Sequence, residues 1–259
     1  MAAALAFARA AFQQHLTYRV ANFAGIFTNA FFLVMRAYVF EACYVARDTI
    51  GGLSVTQAVT FASVTQCVLM VAPQWGAIGV GANVRSGQIA VDLLRPVDFV
   101  TAVLSGRLGV SAYYAVVRML PMLALAAALG ILEAPTPGGL LAFLVTLALG
   151  ALLANAILLL VEVSSFWIES ERGVRYVVMG LALLPSGLLL PVAWFPEPLR
   201  TLFRLTPFPY TMNLPAEAWL GTADLWTGIT VQLAWLVALL AACRLAVRAG
   251  TRRLQVHGG

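Results

Sequence analysis

Six runs of mostly apolar residues, at 20–46, 56–82, 99–132, 140–167, 176–190 and 226–247, leave this chain few ways to fold. An α-helix needs about 20 apolar residues to cross a bilayer, and only the fifth run is clearly short of that. Hydrophobic residues make up 61% of the 259 and charged residues 10%, against about 45–50% and about 25% in soluble domains. This specifies an all-α integral membrane protein with six transmembrane helices.

The segments outside the runs have their own character. Residues 1–19 carry Arg9, Gln13, Gln14 and His15, with Leu5, Phe12 and Leu16 near helical spacing. That pattern reads as an interfacial amphipathic helix, not a cleavable leader. Residues 191–221 hold six prolines among Trp194, Phe195, Phe203, Phe208, Tyr210 and Trp219. Proline breaks helices and Trp and Tyr favour the headgroup level. The segment is expected to be a re-entrant pair of short helices in the outer leaflet, its backbone covered by protein.

All sixteen basic residues are arginine, and the positive-inside rule orients the chain. With the N-terminus inside, Arg9, Arg19, Arg85, Arg95, Arg107, Arg172, Arg175, Arg248, Arg252 and Arg253 face the cytoplasm, and Arg47, Arg200 and Arg204 face out. Both termini and residues 83–98 are then cytoplasmic, with the first turns of the third run, around Arg107, at the surface. Small residues at Gly76, Gly79, Gly81, Gly106 and Gly109 would let helices approach closely.

Several chemistries are excluded. The arginines form no basic stripe for nucleic acid. A chain without lysine has no phosphate-binding Gly-rich loop of the Lys-Ser/Thr type. His15 and His257 lie near the ends, and Cys43, Cys67 and Cys243 sit in apolar runs, where thiols act as small hydrophobes. No metal, cofactor or catalytic centre is indicated in this chain. The charges within spans are Arg36, Glu41, Arg118 and Glu162, with Arg244 near an end. Such groups are costly in lipid, and Arg118 and Glu162 have opposite sign, so a bracing pair between the third and fourth helices is expected.

The polar stretch 83–98 (NVRSGQIAVDLLRPVD) has a glycine hinge at Gly87 and an amphipathic turn, with Ile89, Val91, Leu93 and Leu94 set against Asp92 and Arg95. Pro96 stops it. A segment built this way suits docking onto something soluble. A second charged loop, with Glu169, Glu171, Arg172 and Arg175, is expected to be a further cytoplasmic contact or a gate.

These residues resemble ABC-2-type permeases, the membrane subunits of ATP-binding-cassette exporters, in their compact six-span branch. Residues 86–96 (SGQIAVDLLRP) are similar to that branch's Gly-x-[Ile/Leu]-x-x-x-Leu-Leu-Arg-Pro signature. Residues 166–170 (FWIES) resemble its Phe-Trp motif. Ser186-Gly187, Pro191 and Phe195-Pro196 follow its next run, and Pro207-Phe208, Pro215, Leu220-Gly221 and the Gly258-Gly259 tail complete the order. The charged residues 169–172 depart from the pattern.

The resemblance implies a single transmembrane domain over residues 1–259, working as a dimer with an identical or paralogous permease. Two copies of a cytoplasmic ABC ATPase would bind the ATP and Mg. Residues 83–98 would be the coupling helix: Gly87 and Ile89 within it, Leu93 and Leu94 as apolar anchors, Asp92 and Arg95 for orientation, Pro96 as its end. Trp194, Phe195, Pro196, Phe208 and Tyr210 would form an outer lid. Export of an apolar or amphipathic substrate across a bacterial cytoplasmic membrane is the leading expectation. A lipid or glycan flippase subunit and a non-transporting signalling or assembly protein are the alternatives.

Overall fold

The computed structural model describes residues 2–16, 19–72 and 78–252. Gly76, Arg253, His257, Gly258 and Gly259, singled out in the sequence, lie outside them, as does the side chain of Arg19. Helix α1 (Ala2–His15) is followed by α2 (Arg19–Ala42), the short strands β1 (Thr49–Ile50) and β2 (Leu53–Ser54), and α3 (Val55–Val71). Two short helices, α4 (Val80–Arg85) and α5 (Ile89–Leu93), lead to α6 (Phe99–Tyr114), which continues through a π-helical turn into α7 (Leu120–Ala128). Then come α8 (Pro137–Val163), α9 (Arg172–Leu183), α10 (Glu197–Arg204), α11 (Asn213–Leu220) and α12 (Leu225–Thr251).

Polar caps set where the long helices begin, since the first turn of a helix leaves N–H groups unpaired. Asp98 accepts from the Thr101 amide at 2.9 Å, Thr136 from Gly139 at 3.0 Å and Asp224 from Thr227 at 3.3 Å. Ser54 and Gln57 form a reciprocal capping box at the start of α3. Three helical stretches among the described residues are long and apolar enough to cross a membrane: Phe99–Ala128, Pro137–Phe166 and Leu225–Thr251. Helix α2 has 24 residues, α3 has 17 and α9 has 12.

Several boundaries differ from the apolar runs. The second run does not continue as one helix to residue 82: α3 ends at Val71, and Val80 to Ala82 belong to α4, after Gly79 takes φ +99. Hydropathy alone does not register that break. The all-α expectation also missed the β1–β2 hairpin. Gly51 and Gly52 both have positive φ, the backbone that a two-residue turn requires, and the hairpin abuts Ala193 and Trp194.

Helix α1 lies against α6. Ala4, Phe7, Ala8, Ala11, Phe12 and His15 are turned inward, whereas Leu5 and Leu16 are exposed. At the crossing, Gly109 meets the backbone of Ala8 so closely that a Cβ would not fit. Phe12 packs edge-on against Tyr113 with centroids 5.5 Å apart. Small residues, not the larger apolar ones, set this contact. Gly106, by contrast, faces open space.

Helices α6 and α8 run antiparallel, and Arg107 is level with Asn155: its Nε donates to Asn155 Oδ1 at 3.0 Å. Arg107 is therefore drawn between helices and is only partly exposed. The same register separates Arg118 from Glu162 by about 27 Å along the bundle at 1.5 Å per residue, so the expected pair does not form. Arg118 instead lies over the Tyr114 ring at 4.5 Å, in space left by Gly25. Arg36 is held by neutral groups, donating to Gln66 and Thr65 at 3.1 Å each and to the Leu188 carbonyl.

At the end of the bundle where α8 begins, the second half of the proline-rich segment, from 206 to 220, is covered by protein. Helix α10 has no buried residue, whereas α11 is mostly buried against α3 and α8. Gln232 of α12 donates through Nε2 to the carbonyls of Tyr210 at 2.8 Å and Thr146 at 2.9 Å. Gly150 of α8 leaves room for the Thr211 carbonyl, and Trp219 donates to Glu133 O at 2.8 Å. Irregular backbone in an apolar setting needs this kind of cover. Of the expected lid residues, Tyr210 is buried; Trp194, Phe195 and Phe208 are half-buried and only Pro196 is exposed.

Candidate functional site

The opposite end of the bundle gathers the charged residues. Here α4, α5, the start of α6, the end of α8, the start of α9 and the end of α12 meet. Gly87, at φ +76, turns the chain between α4 and α5. This conformation is readily accessible to glycine, and a Cβ there would meet nothing, so the requirement is one of backbone geometry alone.

Helix α5 is two-sided. Ile89 is fully buried in a cluster with Val80, Phe99, Val100, Leu104, Leu159, Val163, Cys243 and Val247. Leu93 packs against the same cluster. Leu94 is 84% exposed and Val91 53%, three residues apart and so on one helical face. Ile89 and Leu93 therefore anchor the segment to its own bundle, and the outward apolar face is Val91 and Leu94. Asp92 is also internal: it accepts from Asn83 at 2.8 Å and pairs with Arg95 at 3.1 Å. These bonds tie α5 to α4. Asp98 caps α6 and lies 3.5 Å from Arg244. Burial raises its pKa, but the Thr101 hydrogen bonds and Arg244 outweigh that and hold it below the ordinary value.

The second charged loop does not project as a unit. Glu169 and Arg172 are exposed, while Glu171 and Arg175 turn inward. A chain of ion pairs runs from Arg85 of α4 to Glu171 at 2.5 Å, to Arg175 at 3.0 Å, and on to Glu162 of α8 at 3.0 Å. Glu162 is only 1% exposed. Its other partners are backbone: Ile78 N–H donates to Oε1 and Gly81 N–H to Oε2, the latter at 3.2 Å. Burial would raise the Glu171 carboxyl; hydrogen bonds and the Arg85 and Arg175 charges outweigh it and lower the pKa.

Gly81 has a role the sequence reading missed. A Cβ there would come within 2.5 Å of the Glu171 carboxylate. It makes room for a side chain, not for another helix. Arg85 was counted only as an inside charge, yet it carries one end of the network. Asn155 and Gln232 were missed altogether. Each is a single amide in a long apolar helix, and that isolation is the signal that could have found them.

Among the described residues no group of three or more His, Cys, Asp or Glu side chains could hold a metal. The arrangement presents a short helix, fastened inward by Ile89 and outward-facing through Val91 and Leu94, joined by buried ion pairs to two long helices. No curated protein matches the chain. A family model for the ABC-2 family transporter protein matches residues 30–258, which includes the glycine-hinged segment, the charged loop and the proline-rich segment. The chain belongs to the ABC-2 transporter family, as a multi-pass membrane permease that associates with an ATP-binding-cassette ATPase.

Proposed function

We propose that this chain is the permease subunit of an ABC exporter with six spans, both termini in the cytoplasm and residues 83–98 as the coupling helix. It pairs with a second permease, identical or paralogous, and two ATPase copies, and moves an apolar or amphipathic substrate out of the cytoplasm. The observation that carries this reading is the two-sidedness of α5: Ile89 is buried and Leu94 is 84% exposed. A lever needs a grip on the bundle and a free face for its driver, and α5 has both.

The arginines support the orientation. Arg85, Arg95, Arg172, Arg175, Arg248 and Arg252 are at the α5 end, and Arg47, Arg200 and Arg204 at the other, in keeping with the positive-inside rule. The ion-pair chain supports the mechanism. When ATP closes the ATPase pair, a displacement of α4 and α5 is carried by Arg85, Glu171, Arg175 and Glu162 to α8 and α9, and the path between the two permeases rearranges. Leu94 and Val91 seat in an apolar depression on the ATPase, the kind of desolvated anchor that carries much of an interface's energy.

The test is co-purification of the permease with its cognate ATPase. Leu94→Asp is expected to weaken the complex at least about tenfold, the scale of losing one buried apolar anchor, with the unfolding midpoint unchanged. Ile89→Ala is expected to lower the midpoint, by about 2–5 kcal/mol of stability for a buried aliphatic truncation. An intact, fully active complex from Leu94→Asp overturns the assignment.

A further inference from the structure

Between α1, α4, α5 and α6 lies a cavity of about 370 Å³, within the range of about 300–1,000 Å³ common for ligand sites. Its apolar wall is Phe7, Phe99, Val103 and Val110. The polar side presents Arg95, Arg107, Asp92 and Asn83, with Gln14 and His15 from α1.

The charges are not balanced. Asp92 is already matched by Arg95 at 3.1 Å and by the Asn83 amide at 2.8 Å. Arg107 has no carboxylate within ion-pair distance among the described residues, and its one hydrogen bond there uses Nε, toward Asn155. Its two terminal nitrogens are left for another acceptor. A half-buried guanidinium with free N–H groups is matched best by a phosphate or carboxylate oxygen. Arg95 also lies over the Phe7 ring at 5.9 Å, so the cationic side and the apolar wall adjoin. Leu5 and Leu16, on the far side of α1, are exposed, which sets the helix between the bundle and lipid.

An occupant must therefore join an anionic head to an apolar tail. We propose that this cavity binds an anionic phospholipid of the inner leaflet, its phosphate between Arg107 and Arg95 and its acyl chains along Phe99, Val103 and Val110. This rests on the reading that the α5 end faces the cytoplasm. The bound lipid touches α1, α6 and α5 at once and so links membrane composition to the coupling segment.

The test is native mass spectrometry of the full chain with phosphatidylglycerol or phosphatidylcholine. The wild type is expected to retain one phosphatidylglycerol per chain, favoured about tenfold over phosphatidylcholine, the scale of one charge-assisted hydrogen bond. Arg107→Gln is expected to remove the preference. Because Arg107 also holds Asn155, a second variant is needed: Gly106→Phe fills the cavity from a lining position where an added Cβ meets nothing within 4 Å. It should abolish retention with an unchanged unfolding midpoint. Equal retention of the two lipids by the wild type, or undiminished phosphatidylglycerol in both variants, overturns the proposal. Displacement of the lipid by millimolar inorganic phosphate also overturns it, in favour of a free-anion site. None of these readouts depends on ATPase association, so the two proposals fail separately.

Discussion

Glu162 and Arg175 lie 3.0 Å apart and almost out of contact with solvent, thirteen residues apart in sequence and on different helices. Glu162 also accepts the Ile78 and Gly81 amides, so one carboxylate fastens α8, α9 and the entry to α4. Glu162→Gln keeps an acceptor for one amide and isolates the charge effect, while Arg175 retains Glu171. It is expected to destabilise by about 1–3 kcal/mol, the scale of a charged hydrogen bond, and the Glu162→Gln, Arg175→Gln double variant by less than the sum of the singles. Unfolding midpoints in lipid nanodiscs check this; strict additivity of the singles refutes the coupling.

Gly81→Ala tests the same network from its sterically tight side. Glu171 is pinned by Arg85 and Arg175, so it cannot swing away from a new methyl group without giving up a partner. The variant is expected to lose about 1–3 kcal/mol and to leave Arg85 freer, seen as faster hydrogen exchange in residues 80–85. An unchanged exchange pattern means that Glu171 has a second seat.

The Glu171 carboxyl is held below its ordinary pKa of 4.5, which gives a pH dependence of defined sign. The folded protein holds that proton less tightly than the unfolded chain, so the stabilisation is complete above the ordinary value. It is lost as pH falls from there through the lowered value. The stability difference between wild type and Glu171→Gln should be constant from pH 6 to 8 and shrink below about pH 4.5. A difference that grows on acidification contradicts the ion-pair chain.

Gln232→Leu addresses the opposite end. The amide is buried, and Nε2 faces two carbonyls, of Tyr210 and Thr146, which fixes its orientation. Loss of the donor leaves both acceptors one partner fewer, a cost of about 1–3 kcal/mol. The expected outcome is a lower unfolding midpoint together with greater thiol labelling of a cysteine placed at Thr211, which is buried in the wild type. Unchanged labelling means that the turn at 208–211 is held without Gln232.

Several features were legible because they depend on the chain locally. Long apolar runs hide their backbone in a bilayer by forming helices, whereas the caps at Asp98, Thr136 and Asp224 were found only in the structure. Gly87 and Pro96 bracketed the α5 segment, since backbone preference belongs to the residue itself. What α5 buries was not legible. Ile89, Val91, Leu93 and Leu94 are alike in hydrophobicity, and only the position of Val163, Cys243 and Val247, which arrive from distant parts of the chain, decides which of them faces in.

Charge pairing was the least legible. Arg118 and Glu162 are opposite in sign and each stands in an apolar run, which is all that a sequence displays. The register of α6 against α8 put them far apart and gave Glu162 to Arg175. From the sequence alone came the number of apolar runs, the hinge and the stop, because these follow from backbone sterics and the cost of unpaired N–H groups in lipid. Only the tertiary structure decided the partners of Glu162, Arg107 and Gln232, because a Coulomb or hydrogen-bond contact depends on ångström distances between segments that no local pattern encodes.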